Sequence, residues 1–377
     1  MYLYEYEARE ILASYDIPVE DACLASSPEE VKECLRKINP PYIIKAQVRR
    51  GGRGRLGGVK EVTGALEAFE EAADMIGKEL GGFVVKKVLI AQKLEIKREL
   101  YLSFIVDKEA RSYLLLASPF GGVEVEEIHK QRPQSLLKIA IDPIVGLRDY
   151  MVRRVIKHLG LSLEQGEVIR RLYRVFIDYG CELLEINPLA VTEEGVFAVD
   201  RRMIVDESFA GTSPLLAKYW NNYISELSKE ERIGVEQRFS YVKLDGDIGV
   251  MGNGAGLTMA TMDLIRHLGG RPGVFLDIGG GASAERVSMA LSLILRDKDV
   301  NAILVNILGG ITRCDEVARG IVNALERYRG KEKKIVVRLS GLNEEEGRRI
   351  LAGRGVKVFV EPLDAIKEVV GYGEAGK

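Results

Sequence analysis

Residues 42–60 read YIIKAQVRRGGRGRLGGVK and hold five glycines and six basic side chains without one acid. Glycine lets backbone N–H groups come close to an oxyanion, and arginine adds a planar, bidentate donor. Lys45 precedes the glycines, and Gly52, Arg53 and Gly54 lie among them. Such a segment can hold a phosphate ester, a nucleic-acid backbone or an anionic membrane surface; a solvated basic loop is the plain alternative. A Walker A loop is excluded, because GxxxxGK[ST] is absent and Gly58 is followed by Val59.

A second candidate is ELLEINPLAVTEEGVFAVD, residues 182–200, which reads as a hairpin turning at TEEG. A two- or four-residue loop sets Asn187 opposite Asp200; a three-residue loop breaks that alignment. Two oxygen ligands on paired strands suit Mg²⁺, which fills its remaining positions with phosphate and water. Asn-Pro can equally be a strand-end turn. Two glycine turns follow: GNGAG after a strand near residue 250, and VNILGG, where Gly309 and Gly310 stand immediately before a helix. A helix start attracts anions, although a tight turn without a ligand reads the same way.

The elements that must position these residues differ between the halves. In the C-terminal half, apolar runs (VFLDI, NAILVNI, KIVVRL, VKVFV) alternate with helices of period 3.6. That alternation predicts a parallel sheet covered on both faces, with ligands at the strand carboxyl ends. The N-terminal half mixes helices at 4–14 and 28–37 with strands at 42–48, 84–91, 99–106, 111–117, 183–191 and 196–200, an α+β domain in two lobes. On strand 42–48, Ile44, Ala46 and Val48 share one face and Lys45 the other, where a buried lysine needs an anion. The polar run SELSKEERIGVEQRFS marks a boundary: domains at 1–228 and 241–377, a linker at 229–240, and a smaller lobe around 20–100.

The chain has 377 residues and a net charge of −2. A nucleic-acid binder carries a basic bias over a whole domain and aromatic platforms beside it; here the cluster is local, which favours a small anion in one pocket. The four cysteines, Cys23, Cys34, Cys181 and Cys314, form no CxxC pair, so neither zinc nor a disulfide framework is expected. The N-terminus lacks a signal peptide's basic start, and no apolar run reaches the ~18 residues of a membrane span. A soluble cytoplasmic protein is expected, with no membrane or nucleic-acid partner. High charge with few Asn and Gln points to a heat-adapted source.

Taken in order, LYEYEAREILASYDIPV, KAQVRRGGRGRLGGVK, ELYLSFIVD, EINPLAVT, YVKLDGDIGVMGNGAGLTMATMD, FLDIGGGASAERV and VNILGGITRCDEVARGI resemble the succinate–CoA ligase β subunits over nearly the whole length. The resemblance implies an ATP-grasp domain followed by a flavodoxin-like, doubly wound CoA-ligase domain. It implies that Lys45, Gly52, Arg53, Gly54 and Glu99 bind ATP or ADP (GTP is possible), that Asn187 and Asp200 hold Mg²⁺, and that Asn253, Gly310, Ile311 and Thr312 form the substrate and phosphate site. Glu185 matches a carboxylate facing a phosphohistidine loop. The implied reaction joins succinate and CoA at the expense of a nucleoside triphosphate, with the same chemistry on malate as one alternative and a non-catalytic nucleotide-binding paralogue as another.

The three histidines, His129, His158 and His267, lie in no glycine-flanked loop. The phosphohistidine is therefore expected on a partner α subunit, in an αβ or α₂β₂ assembly. Arg49-Arg50 replace the family's His-Ala, Ala91 and Phe120 replace acids, and DRRM, with Arg201 and Arg202, replaces DGKL. These departures gather at the nucleotide site and bear on base preference, affinity and activity. The extra arginines can tighten phosphate binding or form salt bridges to local acids; for Arg50 and Arg202 the salt bridge is the expected role.

Overall fold

The computed structural model describes residues 1–375 except 124, 126, 128, 129 and 131, so His129 lies outside the described residues. The chain divides into two compact units, Met1–Asn222 and Tyr223–Lys377.

In the second unit, strands Ile248–Gly252, Pro272–Asp277, Ala302–Gly309, Lys334–Gly341 and Lys357–Phe359 alternate with helices, as their apolar runs predict. Across the sheet the second of these strands comes before the first, and the third, fourth and fifth follow, all parallel. This is the flavodoxin-like doubly wound order. Leu276, Val305 and Val337 face one helical layer with Leu291, Val317 and Leu351. Val250, Leu304 and Val336 face the other, with Ile265, Ile366 and Val369. The order reverses between Ile248–Gly252 and Ala302–Gly309, which opens a crevice at their carboxyl ends.

The expected linker is a correction. Residues 229–240 hold the helix Lys229–Glu236 and then enter the edge strand Ser240–Lys243, antiparallel to Pro272–Asp277. Ser228 Oγ accepts from Glu231 N and Glu231 accepts from Ser228 N, a reciprocal cap. The stretch is polar because it is a surface helix; Ile233 packs on the core beneath it, and Phe239, just past the helix, is buried in that core.

The first unit has a four-stranded antiparallel sheet in the order Ala22–Ala25, Val88–Gln92, Tyr42–Ala46, Val59–Val62. Helices Pro28–Lys37 and Ala65–Met75 cover it, burying Val31, Ala68 and Ala72 against Ile44, Ala46 and Val48. The strand expected at 84–91 is two, Phe83–Val84 and Val88–Gln92, because Val85 turns back to bond Gly77 and Lys78. A larger sheet runs Val196–Ala198, Cys181–Val191, Arg98–Asp107, Ser112–Ser118, Leu137–Ile141, with Arg201–Val205 also paired to Cys181–Val191. The single strand expected at 196–200 thus breaks around Val199 and Asp200. Its register places Leu189 opposite Ala198 and Ile186 opposite Arg201, with Thr192 N bonded to Gly195 O at 2.8 Å across the turn.

The cysteine reading is also corrected. Cys23 and Cys34 form a disulfide with Cα atoms 5.4 Å apart, while Cys181 and Cys314 are free and buried. The pairing follows from Pro28–Lys37 folding back over Ala22–Ala25, a tertiary contact that no spacing motif announces.

Candidate functional site

A cleft of about 490 Å³ in the first unit gathers several of the expected residues: Gly52, Arg53, Gly54, Glu185, Asn187 and Asp200. The turn is built by glycine at Gly52, whose φ of 72° suits no side chain well. Asn187 N bonds Asp200 O at 2.9 Å, so the two residues stand opposite each other. Asn187 Oδ1 accepts from Gly122 N at 2.7 Å, and its Nδ2 donates to Val123 O at 2.9 Å. Asp200 accepts from Arg53 at 2.7 Å and is half exposed. Among the described residues there is no group of three or more His, Cys, Asp or Glu placed to hold a metal. An amide oxygen and an exposed carboxylate still fit a Mg²⁺ whose other ligands are phosphate and water.

Lys45 is not on the cleft wall. It is buried behind it, donating to Glu5 at 2.7 Å, Glu20 at 3.2 Å and Val199 O at 2.9 Å. The anion that a buried lysine requires is thus supplied by two carboxylates of the chain itself. Helix Glu5–Ala13 delivers Glu5, and Arg53 and Arg201 also reach it, at 2.6 and 3.7 Å. Arg201 pairs closely with Glu20. Burial alone pushes the Glu5 carboxyl up, but Arg53, Lys45 and Arg201 outweigh it and hold it well below the usual carboxylate range. Burial pulls the Lys45 ammonium down, and Glu20 and Glu5 more than reverse that.

Glu99 borders a neighbouring cavity of about 440 Å³, with Arg98, Phe120 and Arg132. Val123 and Glu127 line both cavities; beside them the Gly122 N–H bonds Asn187, and a side chain on Gly122 would collide with the Glu99 carboxylate. Glu185 lines the first cleft, accepts from Tyr101 at 3.4 Å and sits opposite Arg202 on the adjoining strand. Of the family departures, Arg49 stacks on Tyr4 at 4.0 Å and pairs with Glu7 at 3.2 Å, a structural role. Ala91 is buried between two strand neighbours, Ala22 and Ile43. Phe120 carries Arg132 over its ring at 4.1 Å. The salt bridges expected of Arg50 and Arg202 are absent among the described residues: Arg50 donates to Gly81 O at 2.5 Å, and Arg202 lies over Tyr2 at 5.5 Å. Arg202 faces Glu185 across the strand pair, while Glu5 and Asp200 pair with Arg53. Glu5, Glu20 and Arg201 are the site residues that sequence spacing missed as a set; the only signal was a lysine on a strand face.

In the second unit, Asn253 and Thr312 tie two glycine turns together at the crevice where strand order reverses. Asn253 Nδ2 donates to Leu308 O at 2.8 Å and to Thr312 Oγ1 at 3.3 Å, and its Oδ1 accepts from Leu308 N at 2.9 Å. Thr312 Oγ1 also accepts from Gly281 N at 3.0 Å. Asp277 caps the turns at Gly254 and Gly279, at 2.6 and 2.8 Å. Ile311 is 86% exposed, and a Cβ on Gly310 would meet nothing within 4 Å. One expectation is corrected here. The helix begins at Cys314, not at Gly310, and its first turn already holds Asp315 and Glu316. Arg313 and Asn343 bond Asp315 at 2.8 and 3.1 Å. The hydrogen bond from Arg313 leads in holding that carboxyl well below its usual range. The anion that the helix start attracts is thus met by the chain's own carboxylate. His158 bonds Ser135 O at 2.7 Å near one helix end and His267 closes another, as their helical contexts predict.

Residues 2–191 match the ATP-grasp domain family and residues 251–365 the CoA-ligase family. The β subunit of an ADP-forming succinate–CoA ligase from Pyrobaculum arsenaticum is 45% identical over 377 residues, covering 98% of this chain and 99% of its own. Its counterpart from Ignicoccus hospitalis is 45% identical over 379 residues, covering 100% of both. The β subunit of a GDP-forming succinate–CoA ligase from Thermus thermophilus is 41% identical over 377 residues, covering 98% of both. The structure of ATP citrate lyase from Methanothrix soehngenii, in complex with citrate and coenzyme A, shares the fold, with a TM-score of 0.74 and 23% identity over 95% of each chain. An ATP-grasp unit followed by a doubly wound CoA-ligase unit defines the class, an acid–CoA ligase subunit. The chain belongs to the succinate–CoA ligase β-subunit family.

Proposed function

We propose that this chain binds a nucleoside triphosphate in the cleft of its first unit and couples its cleavage to succinyl-CoA formation with a partner α subunit. The observation that carries this reading is full-length identity of 45% to succinate–CoA ligase β subunits, with glycine turns at the expected places in both units. Gly52 and Gly54 admit the phosphates, and Asn187 and Asp200 would hold Mg²⁺. The metal supplies charge neutralisation on the transferred phosphoryl group. Glu185, from the cleft wall, orients an incoming histidine of the partner. Asn253 and Thr312 fix the turn that presents Gly310 and Ile311 to the substrate. The assembly is αβ or α₂β₂, its location is the cytoplasm, and its nucleotide is ATP or GTP; no described helix is long and apolar enough to cross a membrane.

A second reading has support in one observation: the Lys45 donors are all engaged by the chain itself. That favours a subunit with altered nucleotide affinity, up to a paralogue that binds without turning over. Copurification with the α-like chain, followed by an assay of CoA-dependent nucleoside diphosphate release over a panel of carboxylic acids, separates the two. Turnover with succinate is expected. Nucleotide binding with no turnover on any acid would leave the binding paralogue, and malate as the preferred acid would move the substrate assignment.

A further inference from the structure

A groove of about 890 Å³ lies wholly within the second unit. Residues 297–301 lead into strand Ala302–Gly309 and residues 328–333 into Lys334–Gly341, so the groove opens at the amino ends of these strands, whereas the crevice opens at their carboxyl ends. The helices Ala284–Arg296 and Cys314–Arg327 both end on it. Its volume is that of a small-molecule site, typically about 300–1,000 Å³. One wall is apolar: Leu293 is buried there, Met289 is partly exposed and Tyr328 partly buried.

The other wall carries Arg296, Lys298, Arg327, Arg329, Lys331 and Lys333 against the carboxylates of Glu236, Asp297 and Glu332. Two of the cations are spent on carbonyls, the ordinary role of a base near a helix end. Arg329 donates to Tyr328 O at 3.0 Å and Lys333 to Val300 O at 2.6 Å. Asp297 is taken by Lys243, at 2.6 and 2.8 Å. Among the described residues Arg296, Lys298, Arg327 and Lys331 pair with no carboxylate, and Glu236 and Glu332 are the wall carboxylates left to offset them. The wall therefore keeps a positive surplus. Lys333 feels it: burial leads in pulling its ammonium below the ordinary lysine value, Asp297 opposes that, and Lys243 and Lys331 add to the pull.

An apolar wall facing surplus positive charge fits an anion that carries an apolar body. A phosphate monoester brings about −1.5 to −2 charge near neutral pH and three acceptor oxygens, and arginine takes such oxygens two at a time. A single carboxylate would leave more of the surplus unmet. We propose that this groove is a second ligand site, for a phosphate monoester with an apolar or aromatic body, with Arg327 and Lys331 on the phosphate and Met289, Leu293 and Tyr328 on the body. It does not depend on the nucleotide reading of the first unit. The test is calorimetric titration of the full chain with 1-naphthyl phosphate, inorganic phosphate and 1-naphthol, each in excess Mg-ADP to occupy the cleft of the first unit. The parent should bind 1-naphthyl phosphate, and the two fragments about tenfold or more weaker, since each lacks half of the contacts. Arg327→Gln combined with Lys331→Gln should weaken the ester about tenfold or more, and Met289→Glu should do the same by charging the apolar wall. All three positions are exposed, so the unfolding midpoint and Mg-ADP affinity should stay as in the parent. A parent that does not bind the ester overturns the proposal, as does a double variant that binds it like the parent. Inorganic phosphate binding as tightly as the ester overturns the assigned ligand class.

Discussion

The cleft of the first unit stands on buried ions, whereas the crevice of the second is tied by an amide and a hydroxyl. Glu20 and Arg201 meet across 181 residues of sequence, and Lys45 reaches Glu5 across 40. Asn253 and Thr312 close their turn across 59 residues with neutral groups. Ion pairs out of water are strong only while every partner is present, because the desolvation penalty of each ion remains when its partner leaves. A neutral network loses less when one bond goes. The comparison teaches that the two sites are exposed to different failures: the first to loss of charge balance, the second to crowding of its backbone.

The largest effect should come from unbalancing the ions. Arg201→Met alone leaves Glu20 with only Lys45, and we expect a loss of about 3–5 kcal/mol in denaturant unfolding of the full chain. Glu20→Met combined with Arg201→Met removes both ends and should cost less than the single change. A double variant worse than Arg201→Met would show that the pair is a net stabiliser rather than a mutual obligation.

Acid acts on the same cluster. The native Glu5 carboxyl titrates below its ordinary value of 4.5, so the unfolded chain binds the extra proton. The stability this supplies is fully present above about pH 4.5 and is lost as pH falls from there toward the native pKa. Unfolding free energy measured from about pH 5 to 3 should therefore fall less steeply for Glu5→Gln than for the parent. Equal slopes would remove Glu5 as a source of acid sensitivity.

Crowding the second site should have a smaller effect, and one that depends on a single position. A Cβ on Gly309 would come within 2.8 Å of Cys314 Sγ and 2.9 Å of Thr312 O. Gly309→Val should cost about 1–3 kcal/mol through overpacking. A Cβ on Gly310 meets nothing within 4 Å, so Gly310→Val should leave the unfolding midpoint unchanged, while stopping acyl-CoA formation in the assembled enzyme. A Gly310→Val enzyme with full turnover would reduce the pair to a turn.

These differences also explain what could be read from the residues alone. The doubly wound unit was legible because four of its strands are short apolar runs with glycine at or just after the end, as at VNILGG, and each helix carries its own period. Asn187 and Asp200 could be aligned only on condition of a two- or four-residue turn; the choice among turn lengths was not legible, and the pairing of Val191 with Val196 makes it four. The charged floor was not legible: Lys45 announces that it needs an anion, but nothing local names Glu5 or Glu20, which arrive from another helix and another loop. The helix Lys229–Glu236 passed for a linker because it is rich in charged residues and buries only Gly234 fully. The break around Asp200 was hidden inside a continuous run of strand-forming residues.

The disulfide has a mechanical consequence. Ala22–Ala25 is an outer strand of its sheet, with Val88–Gln92 as its one neighbour, and an outer strand is where a sheet unzips or recruits a foreign chain. The bond from Cys23 to Cys34 bolts that strand to the helix covering the sheet. Closing so short a loop restricts the unfolded chain by about 3 kcal/mol on the entropic account. Fraying of this lobe is thereby directed to its opposite margin, Val59–Val62, the strand that follows the glycine turn.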